Sequence, residues 1–272
     1  MVASYGPHFG EEPPLVGKGG SGTIFFSHCN LRCVYCQNHQ ISQPVRPAKD
    51  QVISIERLAE IMTDLQTQDC ENINLVSPTH FIPQILKAIG IAANEGLQLP
   101  IVYNTGGYEK PEILRYLDGI IDIYMPDFKY VDDQMAQKYS QAPHYFDFAW
   151  NSLLEMTRQV GDFQVDKHGK AIRGVILRHL VLPGGIAGSK ELFPKLAEAL
   201  EHRVFLSLMA QYYPSHKAGS YKELDRPLKP EEYQEVIDLI MDLDFDEGWI
   251  QDVKTAPHFY RPNFDLEDPF RN

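Results

Sequence analysis

Residues Gly22 to Asn38 read GTIFFSHCNLRCVYCQN. The apolar run Thr23-Ile24-Phe25-Phe26 reads as a buried strand and stops abruptly at Ser27-His28. Three cysteines follow within eight residues: Cys29, Cys33 and Cys36, in the spacing C-x3-C-x2-C. Thiolates this close together in a loop after a strand point at a common centre, which suits a polynuclear iron–sulfur cluster. A cubane takes one thiolate per iron, so three cysteines leave one iron without a protein ligand. That iron is a place for chemistry.

Other uses of the cysteines stand beside this one. Structural zinc takes four ligands, often as paired C-x-x-C units, and the only other cysteine is Cys70, with no partner at ligand spacing. His28 or His39 would have to complete a zinc site. Four cysteines in 272 residues are too few for a disulfide framework, and Cys70 reads as a small buried apolar residue.

The length allows one domain of α/β-barrel size, spanning 1–272, with a large core. The apolar and charged fractions are those of an ordinary globular chain. No apolar run is long enough to cross a bilayer, and the N-terminus lacks a signal-peptide pattern. A cysteine cluster meant for iron needs a reducing compartment, so the expected location is the cytoplasm. The formal charge of −12, without a lysine- or arginine-rich face, argues against nonspecific nucleic-acid binding. A specific RNA substrate stays compatible with it.

Along the chain, residues 1–21 carry Pro7, Pro13, Pro14 and several glycines without periodicity, and read as an irregular lead-in packed on the barrel bottom. A helix with Ser54 as N-cap presents Leu58, Ile61, Met62 and Leu65 at helical spacing. Strands are expected at 72–76, 101–104, 121–125, 175–182 and 204–209, after the one preceding the cysteines. Helices are expected at 81–95, 111–117, 132–140, 145–160, 191–201 and 230–243. Residues 248–272 read as an irregular tail. Six strands alternating with helices give an α/β fold with a parallel sheet. Six units are too few for a closed eight-fold barrel and fit a partial (β/α)6 TIM-type barrel. Right-handed crossovers then place the strand C-termini on one face, where the loops of such folds build active sites.

The segment FFSHCNLRCVYCQN closely resembles the signature of the radical S-adenosylmethionine (SAM) enzymes. Tyr35 supplies the aromatic residue before the third cysteine, and Asn38 matches the C-x-N form of the glycyl-radical-enzyme activases. The whole segment is similar to the branch near pyruvate formate-lyase activating enzyme. Longer members of that branch carry a further cysteine-rich segment upstream of a similar EEPP…G stretch. This sequence is equally compatible with a naturally short chain and a shortened one.

The resemblance implies that Cys29, Cys33 and Cys36 hold a [4Fe-4S] cluster. S-adenosyl-L-methionine would chelate the fourth iron, and its reductive cleavage would give a 5′-deoxyadenosyl radical that takes hydrogen from a substrate. Tyr35 would pack beside the adenine. Many relatives have Gly-Gly-Glu after the second strand, where this chain reads Ser77-Pro78-Thr79-His80. Ser77, Thr79 or His80 would then contact the methionine amino group, with an N-cap role for Thr79 equally open.

Asn104-Thr105-Gly106-Gly107 and Met125-Pro126-Asp127-Phe128-Lys129 match the activase segments Asp-Thr-Asn-Gly and Met-x-Asp-x-Lys. They place Asn104, Asp127 and Lys129 near SAM. The alternative for Asp127 and Lys129 is a surface pair of little weight. A monovalent cation on Thr105, Met125 and Asp127 is implied too, weakened by the missing carboxylate at Asn104. Arg178 matches an arginine that approaches SAM, and strand alternation sends His179 to the opposite, helix-facing side. Gln211, Tyr212 and His216 are candidates for adenine or substrate contacts, or for loop packing.

The expected reductant is a flavodoxin or ferredoxin, and the substrate a protein or peptide. A small metabolite is the alternative, as is a non-catalytic iron–sulfur or zinc protein. The absence of a second cysteine cluster argues against the peptide-modifying branch with auxiliary clusters.

Overall fold

The computed structural model of the chain describes residues 1–43, 52–200, 203–245, 247–252 and 264. Its first part comprises β1 (Val2–His8), α1 (Pro13–Val16), β2 (Ser21–Phe26), α2 (His39–Ser42), α3 (Ile55–Thr67), β3 (Ile73–Val76) and α4 (Ile82–Asn94). The middle holds β4 (Ile101–Thr105), α5 (Pro111–Leu114), β5 (Ile123–Pro126), α6 (Asp133–Ser140), α7 (Tyr145–Val160), β6 (Gln164–Val165) and β7 (Ala171–Leu180). The last part holds α8 (Ser189–Leu200), β8 (Phe205–Met209), α9 (Pro230–Asp242) and β9 (Gly248–Ile250).

The sheet runs β1-β2-β3-β4-β5-β7-β8-β9, and every pairing from β2 to β9 along this path is parallel. It does not close on itself: the fold is a partial α/β barrel, as the alternation of patterns predicts. Local signals act where expected. Ser54 accepts the Arg57 amide at 3.1 Å and caps α3, and α3 buries Leu58, Ile61, Met62 and Leu65 against the sheet. Cys70 is buried among apolar residues of the same layer.

Two expectations are corrected. The lead-in is not irregular: Val2–His8 pairs antiparallel with β2, with a bulge between Val2 and Ser4. Pro7 is tolerated because this is the edge of the sheet. After it, Pro13 and Pro14 open the single turn α1, which pushes Leu15 into the barrel. There Leu15 packs with Val102, Ile123, Met125 and Ile176, the inward side chains of three strands, as a core separate from the helix-facing one. Burying a leucine completely is worth about 1.5–3 kcal/mol. The second correction concerns the tail, whose Gly248–Ile250 is a strand parallel to β8. Residues 253–263 and 265–272, and Glu201 at the expected end of α8, lie outside the described residues.

Candidate functional site

The inward side chains of the strands form layers. Above the apolar plug lies a polar layer, and above that a cavity of about 220 Å³ at the strand C-termini. Cys33, Tyr35, Cys36 and Asn38 of the loop after β2 line it on one side, Asn104, Asp127, Lys129 and Arg178 on another, and Gln211 and Gln251 at the rim.

The cysteine loop is fastened from both sides. The amides of Arg32 and Val34, flanking Cys33, donate to the carbonyls of Ser140 and Tyr139 at 2.9 and 2.8 Å. Asn30 donates to the Tyr108 carbonyl at 2.6 Å. All four cysteines are free thiols. Cys29, Cys33 and Cys36 lie within electrostatic range of one another, and Lys129 within range of Cys29 and Cys33. Burial pushes Cys33 up to about 12, against the pull of Lys129, and burial raises Cys29 as well. Each sulfur has a polar neighbour: the Leu31 amide at 3.4 Å from Cys29, Ser140 Oγ at 3.0 Å from Cys33, and Ser42 Oγ at 3.2 Å from Cys36. Among the described residues, no three His, Cys, Asp or Glu side chains converge tightly enough to hold a single metal ion. Three thiols in one loop are a donor set that fits a polynuclear cluster, whose cationic iron would keep its sulfur ligands ionised.

Beside the thiols stands a buried charge network. Arg178 Nε donates to Asp127 Oδ1 at 2.7 Å, and Arg178 Nη2 donates to Asn104 Oδ1 at 2.7 Å. Lys129 Nζ reaches Asp127 Oδ2 at 2.6 Å. Burial alone would raise the Asp127 carboxyl, but the Arg178 and Lys129 cations bring it below its ordinary value. The backbone beneath is pinned by Tyr145, whose hydroxyl sits 2.8 Å from the Gly106 carbonyl and 3.0 Å from that of Asp127, and accepts the Lys129 amide at 2.9 Å. Gly107 has φ +78°, and a Cβ there would stand 2.3 Å from the Asp127 carbonyl oxygen. Only glycine permits this approach.

His179 lies on the helix side. Its Nδ1 is 2.8 Å from the Phe128 carbonyl and its Nε2 is 2.9 Å from Ser189 Oγ. Burial lowers its pKa to about 4, so the neutral ring donates from Nδ1 and accepts at Nε2.

Not every candidate reaches the cavity. Ser77, with φ +56°, sits beside Cys29. Thr79 and His80 turn elsewhere: Thr79 Oγ1 donates to Glu109 Oε1 at 2.6 Å, and His80 Nε2 lies 3.2 Å from the Ser27 carbonyl. Thr105 also departs from expectation. Alternation along β4 directs it away from Asn104, and its hydroxyl donates to Glu109. Its side chain therefore does not join Asp127 in a cation site. Of the rim candidates, Gln211 and Tyr212 line the cavity, while His216 stacks on His39 with ring centroids 4.7 Å apart.

Three acidic residues were not anticipated. Glu11 and Glu12, from the segment between β1 and α1, form the cavity floor. Glu11 Oε2 lies 3.7 Å from Arg178 Nη1, whereas Glu12 accepts from Ser207 Oγ at 3.0 Å and leaves its Oε2 buried without a hydrogen bond. Burial raises both carboxyls, and Glu12 reaches about 7. The one available signal was a carboxylate pair set directly before Pro13-Pro14.

Glu109 is 2% exposed and gathers Thr79, Thr105 and Tyr103. Burial pushes it up to about 7. A carboxyl raised in the folded state stabilises the fold fully below its unfolded value of about 4.3, and that contribution is lost as pH rises through about 7. Glu109→Gln, which keeps the carbonyl acceptor, should therefore gain on the parent across this window. The gain is at most about 1.4 kcal/mol per pH unit, read by urea unfolding at a series of pH values. Parallel curves would show that Glu109 is ionised throughout.

Comparison with known proteins adds to this geometry. The model of the radical SAM superfamily matches residues 23–161. An uncharacterized protein of Methanocaldococcus jannaschii is 30% identical over 240 residues, covering 85% of this chain; the chain spans 64% of that relative's length. A radical SAM methyltransferase from Sphaerobacter thermophilus superposes with a TM-score of 0.57 at 13% identity, over 87% of this chain and 69% of its own. The structure of anSMEcpe with bound AdoMet gives 0.53 at 13% identity, over 83% of this chain and 62% of its own.

Proposed function

Because this chain belongs to the radical SAM superfamily, we propose that it is an enzyme that cleaves S-adenosylmethionine reductively and takes a hydrogen atom from a protein or peptide, as an activating enzyme does. The observation carrying this reading is that the free thiols of Cys33 and Cys36, with Cys29 within electrostatic range of both, line the same cavity as the Arg178–Asp127–Lys129–Asn104 network. When bound to the three thiolates, a [4Fe-4S] cluster supplies the electron that breaks the sulfonium bond of SAM.

The chain's own residues bind and orient. Cys29, Cys33 and Cys36 hold the cluster, and Lys129 lies within range of Cys29 and Cys33 to offset their negative charge. Arg178 presents its fork into the cavity, already aligned by Asp127 and Asn104, and suits the SAM carboxylate. Tyr35 and Tyr212, packed edge to face with centroids 5.8 Å apart, offer an apolar wall to the adenine. Asn38 and Gln211 line the same cavity and supply amide groups for its nitrogens.

The activase-like choice of substrate rests on the Asn104–Gly107 and Met125–Lys129 segments and on the Asn38 spacing. Asn104 in place of a carboxylate and the turning away of Thr105 leave no reason to include a monovalent cation in it.

The test is anaerobic reconstitution with iron and sulfide, reduction by dithionite, and measurement of 5′-deoxyadenosine, with iron and zinc counted in the same sample. About four irons per chain with deoxyadenosine formed is the expected result. Bound zinc, or iron without cleavage, would overturn the assignment.

A further inference from the structure

Behind the cysteine loop, on the side away from solvent, a chain of hydroxyl groups ends on one sulfur. Ser140, the last residue of α6 and fully buried, places Oγ 3.0 Å from Cys33 Sγ across 107 positions of sequence. Its Oγ is 2.8 Å from the Tyr130 hydroxyl, which is 2.7 Å from that of Tyr35. All three side chains are buried. The Leu31 amide at Cys29 and Ser42 at Cys36 come from the cysteine loop and its following turn. Cys29 also has Ser77, from the loop after β3, beside it, but only the Cys33 contact, among those described, continues into further buried hydroxyls.

We propose that Ser140 is a positioning residue that raises the reduction potential of the cluster held by Cys33, kept on the sulfur by Tyr130 and Tyr35. The proposal rests on the reading of Cys33 as a cluster ligand.

Proton counting supports it. Each hydroxyl carries one proton, and a thiolate only accepts. Ser140 is therefore the donor to Sγ at 3.0 Å, while Tyr130 donates to the Tyr35 hydroxyl at 2.7 Å and stands 2.8 Å from Ser140 Oγ.

Geometry keeps the chain in register. The two backbone hydrogen bonds from Arg32 and Val34 to the end of α6 hold Cys33 against Ser140. Gln141, left-handed at φ +52°, ends the helix so that those carbonyls face the loop.

The physical consequence concerns the electron. Reduction adds negative charge to cluster and sulfur, and a hydrogen-bond donor on the sulfur stabilises the reduced form more than the oxidised one. In a buried site the effect is large, because no water competes for the sulfur. Tyr35 also lines the cavity, so one end of the chain touches the space where SAM would sit.

The experiment is an EPR-monitored redox titration of the reconstituted full chain, without SAM, for the parent, Ser140→Ala, Ser140→Thr and Tyr130→Phe. Iron content and circular dichroism are recorded on each sample. Ser140→Ala should retain its iron and lower the reduced-to-oxidised ratio at the parent midpoint about tenfold, a fall of about 59 mV for one electron. Ser140→Thr, which keeps the hydroxyl, should stay near the parent, and Tyr130→Phe should fall in between.

Parent potential in both Ser140→Ala and Tyr130→Phe, with iron retained, would overturn the role of Ser140 and leave the cluster assignment standing. Loss of iron from Ser140→Ala together with an unshifted Tyr130→Phe would also overturn it, making Ser140 a structural residue. A parent that binds no iron would overturn both readings.

Discussion

Replacing Cys33 by alanine will remove the bound iron and reduce SAM cleavage to background while the barrel stays folded. The side chain is small, and its hydrogen bond in the apoprotein is with Ser140. Its loop is held by backbone bonds from Arg32 and Val34 and by Asn30, none of which uses the sulfur. Losing one buried thiol therefore costs on the order of 1 kcal/mol. The chemical loss is far larger, because two thiolates leave two irons of a cubane without protein ligands. Iron per chain, deoxyadenosine yield and the thermal midpoint, measured together, separate the two effects. A variant that still cleaved SAM would end the cluster assignment, and one that failed to fold would show the sulfur to be part of the core.

The second large effect is expected at Arg178. Its guanidinium spans Asp127, Asn104 and, at 3.7 Å, Glu11. Both partners of the Asp127 pair are mostly buried, with side-chain exposures of 16% and 15%. Arg178→Met keeps the length and removes the charge. Asp127 then retains Lys129, but Glu11 and Glu12 lose the cation that opposes their burial.

Breaking a buried pair by removing one partner typically costs about 3–5 kcal/mol. The pH dependence identifies the cause. Carboxyls left unpaired in the interior rise in pKa, so protonation relieves them. The deficit of the variant should shrink as pH falls from about 9 toward about 7, the value Glu12 has with Arg178 in place. Urea unfolding at both pH values checks this. A loss under about 1 kcal/mol, the range of exposed pairs, would mean that the network is solvated, and a deficit that grows on acidification would contradict the burial of the carboxylates.

Much of the frame was legible because it is local. The 3.6-residue spacing in α3, the strand-ending Ser27-His28, and the clustering of Cys29, Cys33 and Cys36 are properties of consecutive residues. The opposite faces of Arg178 and His179 follow from strand pleating alone. These features depend on backbone geometry that neighbouring residues impose on each other.

The misplaced features depend on partners distant in sequence. Thr79 and Thr105 look like cavity residues until Glu109 is seen to collect both hydroxyls. Glu109 itself carries no signal, since one glutamate after two glycines becomes special only through burial. Val2–His8 has no strand pattern because an edge strand needs only one partner, and β2 supplies it.

By itself, then, the sequence determined the alternation of strands and helices, the family-defining cysteine loop and the parity of its strand-borne charges. Only the tertiary structure decided that the lead-in plugs the barrel with Leu15, that Glu11 and Glu12 form the cavity floor, and that Ser140 meets Cys33. The reason is physical. Backbone periodicity is set within a few residues, whereas the energy of a buried polar group depends on whichever distant donor or charge the fold brings within hydrogen-bond reach.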